Sequence, residues 1–155
     1  MNKILIAHRG NIFGPHPDDE NSPKYIQTAL DCGFDVEIDV WHIDGTWFLG
    51  HDEPTYETTR EYLQETTGLW IHCKNLITFQ KILEVCPNAN FFYHTKEDYA
   101  LTSQGFIWAY PNMPAGNGYK TIAVLPEYMF TPIEDFAGIC SDYVGGYKND
   151  KTNTF

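Results

Sequence analysis

The segment Phe34-Asp35-Val36-Glu37-Ile38-Asp39-Val40-Trp41 decides how the rest of the chain reads. Alternate side chains of a strand share a face. Val36, Ile38 and Val40 therefore line one face, and Glu37 and Asp39 line the other. An apolar strand that turns carboxylates to one side needs them either solvated or neutralised. A solvated edge and a bound hard cation both satisfy that need, and the segment alone leaves the two open.

Upstream, Lys3-Ile4-Leu5-Ile6-Ala7 is an apolar run that ends in His8-Arg9-Gly10, the pattern of a buried strand followed by a turn. Ser22-Pro23 then opens a helix, which Gly33 ends. Downstream, Asp44-Gly45 is a turn, and Thr46 to Gly50 returns as a strand to His51-Asp52. A helix is expected over residues 58–65, and a strand over Leu69 to Lys74. Asn75 caps a further helix that Pro87 closes off. Later strands are expected at 91–94, 106–110, 121–125 and 138–144.

The first half thus alternates strand and helix, which favours a parallel sheet. In the second half the strands come too fast for full helices. A complete eight-fold barrel takes about 200 residues or more, and this chain has 155. The expected fold is α/β: a contracted or incomplete TIM-type (β/α) barrel of seven or eight strands, with shortened helices in the second half. An open α/β sheet is the alternative. One domain is expected over residues 1–145, with a polar tail at 146–155.

The formal net charge of −11 argues against nucleic acid or an anionic bilayer as partner. It also means that a phosphate-bearing ligand needs cations gathered at one place. No apolar stretch is long enough to cross a membrane, and the N-terminal run lacks a secretory cleavage pattern, so a cytoplasmic location is expected. Cys32, Cys73, Cys86 and Cys140 are scattered without metal-knuckle spacing, and reduced, mostly buried thiols are expected.

Polar residues collect where the apolar strands end, which is where parallel α/β folds bind ligands. His8 and His51 suit acid–base work because imidazole titrates near neutral pH. Arg9 and Lys74 supply the local positive charge. His72 shares a strand face with Lys74. His94 and Lys96 repeat that spacing and read equally as pocket lining or a surface pair. Trp108 and Tyr110 share a face suited to core packing, Glu127 follows a strand, Trp41 and Trp47 suit hairpin packing, and His16 and His42 are expected to be exposed.

Taken in order, Ile6-Ala7-His8-Arg9-Gly10, Glu20-Asn21-Ser22, Glu37-Ile38-Asp39-Val40, Asp44-Gly45 and Gly50-His51-Asp52 resemble the N-terminal signature of glycerophosphodiester phosphodiesterases. Sphingomyelinase D toxins share the layout more loosely. The resemblance implies a phosphodiesterase of the PLC-like superfamily acting on a small-molecule phosphodiester. His8 and His51 would be its acid–base pair, Arg9 and Lys74 its phosphate ligands, Glu37, Asp39 and His72 its metal ligands, and Glu20 a support acting through Arg9. It implies Mg²⁺ or Ca²⁺ as cofactor.

His72 stands where the family usually carries an acidic residue, which admits Mn²⁺ or Zn²⁺ instead. Near the other end, Gly138 to Tyr143 resembles the family's closing strand, where a small residue and an Asp precede a turn. The stretch 95–128 lacks the family's usual length, so substrate identity does not carry over, and oligomeric state is left open. Alternatives to hydrolysis are a non-catalytic phosphate-binding module and a lyase that releases a cyclic phosphate.

Overall fold

The computed structural model describes residues 2–116 and 120–148. The chain is an α/β protein built on one mixed, strongly curled sheet. Its strands are β1 (Ile4–His8), β2 (Asp35–Ile43), β3 (Thr46–Leu49), β4 (Tyr56–Thr58), β5 (Leu69–Cys73), β6 (Asn90–Tyr93), β7 (Tyr99–Leu101), β8 (Ile107–Ala109), β9 (Thr121–Val124) and β10 (Gly138–Ser141). Helices α1 (Pro23–Asp31), α2 (Arg60–Glu65) and α3 (Leu76–Val85) all precede β6. The four-residue helices α4 (Pro126–Met129) and α5 (Val144–Tyr147) follow β9 and β10.

Capping explains where the longer helices begin. Ser22 Oγ accepts from the Tyr25 amide, Thr59 Oγ1 from the Tyr62 amide and Asn75 Oδ1 from the Thr78 amide. Each cap satisfies an amide that the first helical turn would leave unpaired. Thr59 also explains a boundary shift. The helix expected from residue 58 starts at Arg60, because Tyr56–Thr58 pairs with β3 as an extra edge strand.

Eight strands follow in the order β4-β3-β2-β1-β10-β9-β8-β7, and β5 pairs the free side of β2 and carries β6. The pairs β2·β3, β3·β4 and β7·β8 are antiparallel, and the others are parallel. The barrel is not closed. No ladder joins β6 to β7 among the described residues, and their ends meet through Ser103, whose amide donates to Phe91 O at 2.8 Å and whose Oγ accepts from the Phe91 amide at 3.0 Å. The result is a half-barrel rather than a TIM barrel. Too little chain lies between β6 and β9 for crossover helices, so β7 turns back antiparallel on β8. Helix α5 extends into the stretch read as a polar tail, whose residues 149–155 lie outside the described part.

The faces divide as the alternation of β2 requires. Ala7, Val36, Ile38, Val40, Ile71 and Cys73 pack outward against Ile26 and Ala29 of α1, Leu63 of α2 and Ile82 of α3. Inside the curl, Ile6, Trp70, Phe92, Trp108, Ile122, Val124 and Cys140 form a second core. The Trp108 ring lies 4.8 Å from Phe92 and 5.7 Å from Trp70, plugging the lower part of the curl. Polar chemistry is left to the carboxyl ends of the strands.

Gly138 sits where β10 presses on β1. An added Cβ there would lie 2.7 Å from the Ile4 carbonyl oxygen and 2.8 Å from both Ile4 Cβ and Ile122 Cδ1. Backbone cannot yield as a side chain can, so Gly138→Ala is expected to cost about 1–3 kcal/mol, the usual price of overpacking. Urea denaturation should show a lower midpoint with an unchanged slope.

Candidate functional site

Register, more than any single motif, assembles the site. His8 pairs with Glu37 across β1 and β2, and Asp39 pairs with His72 across β2 and β5. Residues opposite one another on parallel strands point to the same face, so these side chains all enter the open upper end of the curl. The chain then turns out of β1 with Arg9 at a positive φ of 55°. A non-glycine residue held there stores strain that its surroundings must repay. Gly50, with φ 150°, ends the hairpin and presents His51; a Cβ on it would come within 2.0 Å of Glu53 O.

Glu37 and Asp39 are 2% and 1% exposed, far too buried to be a solvated edge. Asp39 is the hub. Its Oδ2 accepts from Asn21 Nδ2 at 2.9 Å and faces His51 Nδ1 at 3.3 Å and Arg9 Nε at 3.6 Å. Its backbone amide donates to Asn21 Oδ1 at 2.8 Å. Burial would raise the Asp39 carboxyl, but contacts with His51, His72 and Lys74 hold it well below the usual carboxylate range. Glu37 goes the other way: burial first, and then the adjacent Asp39 charge, push its pKa up.

The Oδ1 atom of Asp39 is buried and has no hydrogen-bond partner, with His72 Nδ1 at 3.1 Å and Lys74 Nζ at 3.5 Å in ion-pair range only. Glu37 Oε1 lies 3.7 Å from the same His72 nitrogen. Glu37, Asp39 and His72 can each bring one ligand atom to a common point, all within 4.8 Å of one another. A buried acid pair, an orphaned oxygen and an imidazole fit a divalent cation.

The two strand-end histidines, His8 and His51, each face a carboxylate. His8 Nδ1 donates to Asp142 Oδ1 at 2.7 Å, so the opposite nitrogen, Nε2, faces the site 3.8 Å from Glu37. Burial disfavours the His8 imidazolium, but the bond to Asp142 and the charge of Glu37 outweigh it and raise the pKa. Asp142 shows the reciprocal effect: burial is outweighed by the His8 contact, and its pKa falls to about 2. Asp142 is held in turn by Asn11 Nδ2 at 2.9 Å, by the Tyr128 hydroxyl at 2.7 Å and, through its amide, by Glu127 Oε1 at 2.9 Å.

His51 Nε2 lies 3.0 Å from Arg9 Nη2. A guanidinium only donates, so this nitrogen accepts and the ring proton sits on Nδ1, toward Asp39. Lys74 Nζ, 3.4 Å from Nδ1, is then a neighbouring charge rather than a donor to it. Glu20 braces Arg9, with Oε2 accepting from Nη1 at 3.1 Å.

Two cavities flank this row. The larger, about 560 Å³, is lined by His8, Arg9, Glu20, His51, Tyr128 and Asp142 among others. The smaller, about 250 Å³, is lined by Glu37, Asp39, His72, Lys74, His94 and Tyr110 among others. His8, Arg9, His51 and Leu125 line both. Every residue singled out from the sequence for acid–base, phosphate or metal work therefore reaches one continuous site.

Of the secondary candidates, His94 lines the smaller cavity, stacked on Tyr110 at 3.9 Å, and burial lowers its pKa. Lys96 is exposed and outside both linings. Trp108 is core and also touches the smaller cavity. His16 is exposed, but His42 is half-buried against the Trp47 ring at 4.4 Å, contrary to expectation. All four cysteines are free, with Cys32 exposed.

Asn11, Tyr128 and the role of Asp142 were not anticipated. Asp142 carried a signal, a strand ending in a small residue and an acid, whereas Asn11 and Tyr128 lie in loop and short-helix sequence with no distinguishing pattern. No helix among the described residues is long and apolar enough to cross a membrane. No family model matches the chain, and no curated protein matches it in sequence.

Proposed function

We propose that the protein is a metal-dependent phosphodiesterase, a phosphoric diester hydrolase acting on a small glycerophosphodiester-like molecule, on a contracted version of the (β/α) barrel that its N-terminal signature resembles. One observation carries the reading: two imidazoles, each oriented at one nitrogen by a buried carboxylate, line the same cavities as the Arg9 guanidinium.

The tautomers suggest the division of labour. His51 keeps its proton on Nδ1, so Nε2, freed when Arg9 turns to the phosphate, is the base that takes a proton from the attacking water as its oxygen bonds to phosphorus. His8, whose raised pKa favours the imidazolium, donates from Nε2 to the departing alkoxide as the P–O bond breaks. Arg9 and Lys74 bind the non-bridging phosphate oxygens; both are strand-end cations in a strongly acidic chain. Asp142 and Asp39 orient the rings and stabilise them when charged. A divalent cation held by Glu37, Asp39 and His72 would add charge to stabilise the phosphoryl oxygens.

Purified protein incubated with glycerophosphodiesters and divalent metals, followed by phosphorus NMR, tests this. Loss of the diester signal with release of a phosphomonoester is the expected result. A cyclic phosphate that persists would make the protein a lyase. Saturable binding without turnover under any metal would make it a binding module.

A further inference from the structure

A cation in this site meets a restricted set of donors. Asp39 Oδ2 is committed to Asn21 and faces His51 and Arg9, so Asp39 can ligate only through the orphaned Oδ1. Glu37 Oε2 accepts from the Arg9 amide at 3.3 Å and faces His8, which leaves Oε1 for an ion. The third atom is a nitrogen, His72 Nδ1. The protein thus offers a pair of single carboxylate oxygens and an imidazole.

That set discriminates among ions. Ca²⁺ takes about six to eight oxygens and usually a bidentate carboxylate, which the occupied second oxygens of Glu37 and Asp39 deny it. Mg²⁺ binds through one or two carboxylates and retained water, and has no use for a nitrogen. Imidazole suits Zn²⁺, Cu²⁺, Fe²⁺ and Ni²⁺; Mn²⁺, at the weak end of that series and nearest Mg²⁺ in its taste for oxygen, is the most demanding test of His72. The His72 ring is also placed with care. It stacks on the buried Phe92 at 5.0 Å and 7° from parallel, which fixes its plane and aims Nδ1 at the acid pair.

We infer that the site is built for an imidazole-accepting divalent ion of the Mn²⁺ and Zn²⁺ class rather than for Mg²⁺ or Ca²⁺, and that His72 makes the distinction. The inference rests on the same metal site as the phosphodiesterase reading but not on turnover. The competing arrangement needs no ion: His72 and Lys74, both within 3.5 Å of Asp39 Oδ1, would neutralise the acids by themselves.

Chelator-stripped protein is titrated with Mn²⁺, and free Mn²⁺ is followed by its electron paramagnetic resonance signal. Mn²⁺ is preferable to Zn²⁺ here, because the exposed Cys32 thiol would take up zinc. A saturable site that Glu37→Gln removes is expected. Mg²⁺ should displace half of the bound Mn²⁺ only at roughly 100-fold higher concentration, and His72→Asp should shrink that ratio at least about 10-fold, on the scale that shell changes alter affinity.

His72→Asn, which keeps a neutral side chain, should weaken Mn²⁺ binding by a similar factor while circular dichroism confirms the fold. Mg²⁺ competing at equal concentration, an unchanged ratio in His72→Asp, or no Mn²⁺ site at all would each overturn the inference. Failure of the phosphodiesterase reading would look different: selective Mn²⁺ binding intact, with no phosphodiester cleaved.

Discussion

Glutamine in place of His8 is expected to lower kcat on a glycerophosphodiester by roughly 10²–10⁴-fold, the range a positioned acid or base supplies. Glutamine keeps an amide donor near Asp142 and much of the ring's volume, so the fold should survive. The loss should fall on kcat more than on KM, because the proton moves only in the transition state.

Asp142→Asn gives the matching pH test. The bond to Asp142, helped by the charge of Glu37, lifts the His8 pKa against burial. With a neutral partner, the largest raising cause is gone, burial weighs more, and the imidazolium loses its proton at lower pH. An acid must be protonated to act, so the alkaline limb of kcat/KM should move to lower pH. Linkage has the same sign. A raised histidine stabilises the fold fully below its unfolded pKa of about 6.5 and loses that contribution as pH rises through its folded value. The wild-type stability advantage over Asp142→Asn should therefore shrink across that interval. A pH–rate profile unchanged in Asp142→Asn would remove His8 from the acid role.

Much of this site was readable in the chain because β2 carries its own instructions. The alternation of valine and isoleucine with Glu37 and Asp39 specifies a strand, a buried face and an acid pair together. The register that sets His72 beside Asp39 is not local, yet it follows once β5 lies parallel to β2, because both strands present their polar residues at the same end.

What stayed hidden has physical reasons. Strands β4 and β7 are three residues long, too short for a periodic signal, and are defined only by the partners they pair with. Asp142 lies 134 positions from the His8 it orients, and it is the pairing of β1 with β10 that brings them together. Asn11 looks like an ordinary loop asparagine, and Asn21 stood out only as part of the Glu20-Asn21-Ser22 motif with no role of its own, although both are fully buried and hold carboxylates in place. Whether the barrel closes was left open between a contracted and an incomplete form, because chain length can be counted in a sequence, whereas pairing between the last free edges cannot.

Glu37 and Asp39 share a strand face and a proposed ligand, yet their neutral variants are expected to move stability in opposite directions. In the chelated protein, Glu37→Gln should be stabilising by about 0.5–2 kcal/mol at neutral pH, the range typical of relieving a functional site. Burial and the Asp39 charge already disfavour the Glu37 carboxylate, and an amide retains an acceptor for the Arg9 N–H. The sign follows from proton binding. An acid with a raised folded pKa costs stability as pH rises from its unfolded value, about 4.3, through the folded one. The gain from Glu37→Gln should thus be absent in mild acid and grow across that window.

Asp39→Asn should do the reverse and destabilise by about 3–5 kcal/mol, as removal of one partner of a buried ion network does. The Asp39 carboxylate is the counter-charge for Arg9 and Lys74 and faces His51 and His72 as well. Its lowered pKa means that its contribution is present above about pH 3.9 and fades only as pH falls through the folded value. Both variants should lose the stabilisation that added Mn²⁺ gives the wild type, visible as a melting temperature that no longer rises with metal. Equal destabilisation by the two substitutions, with metal still raising both melting temperatures, would mean that the acid pair serves the fold and holds no ion.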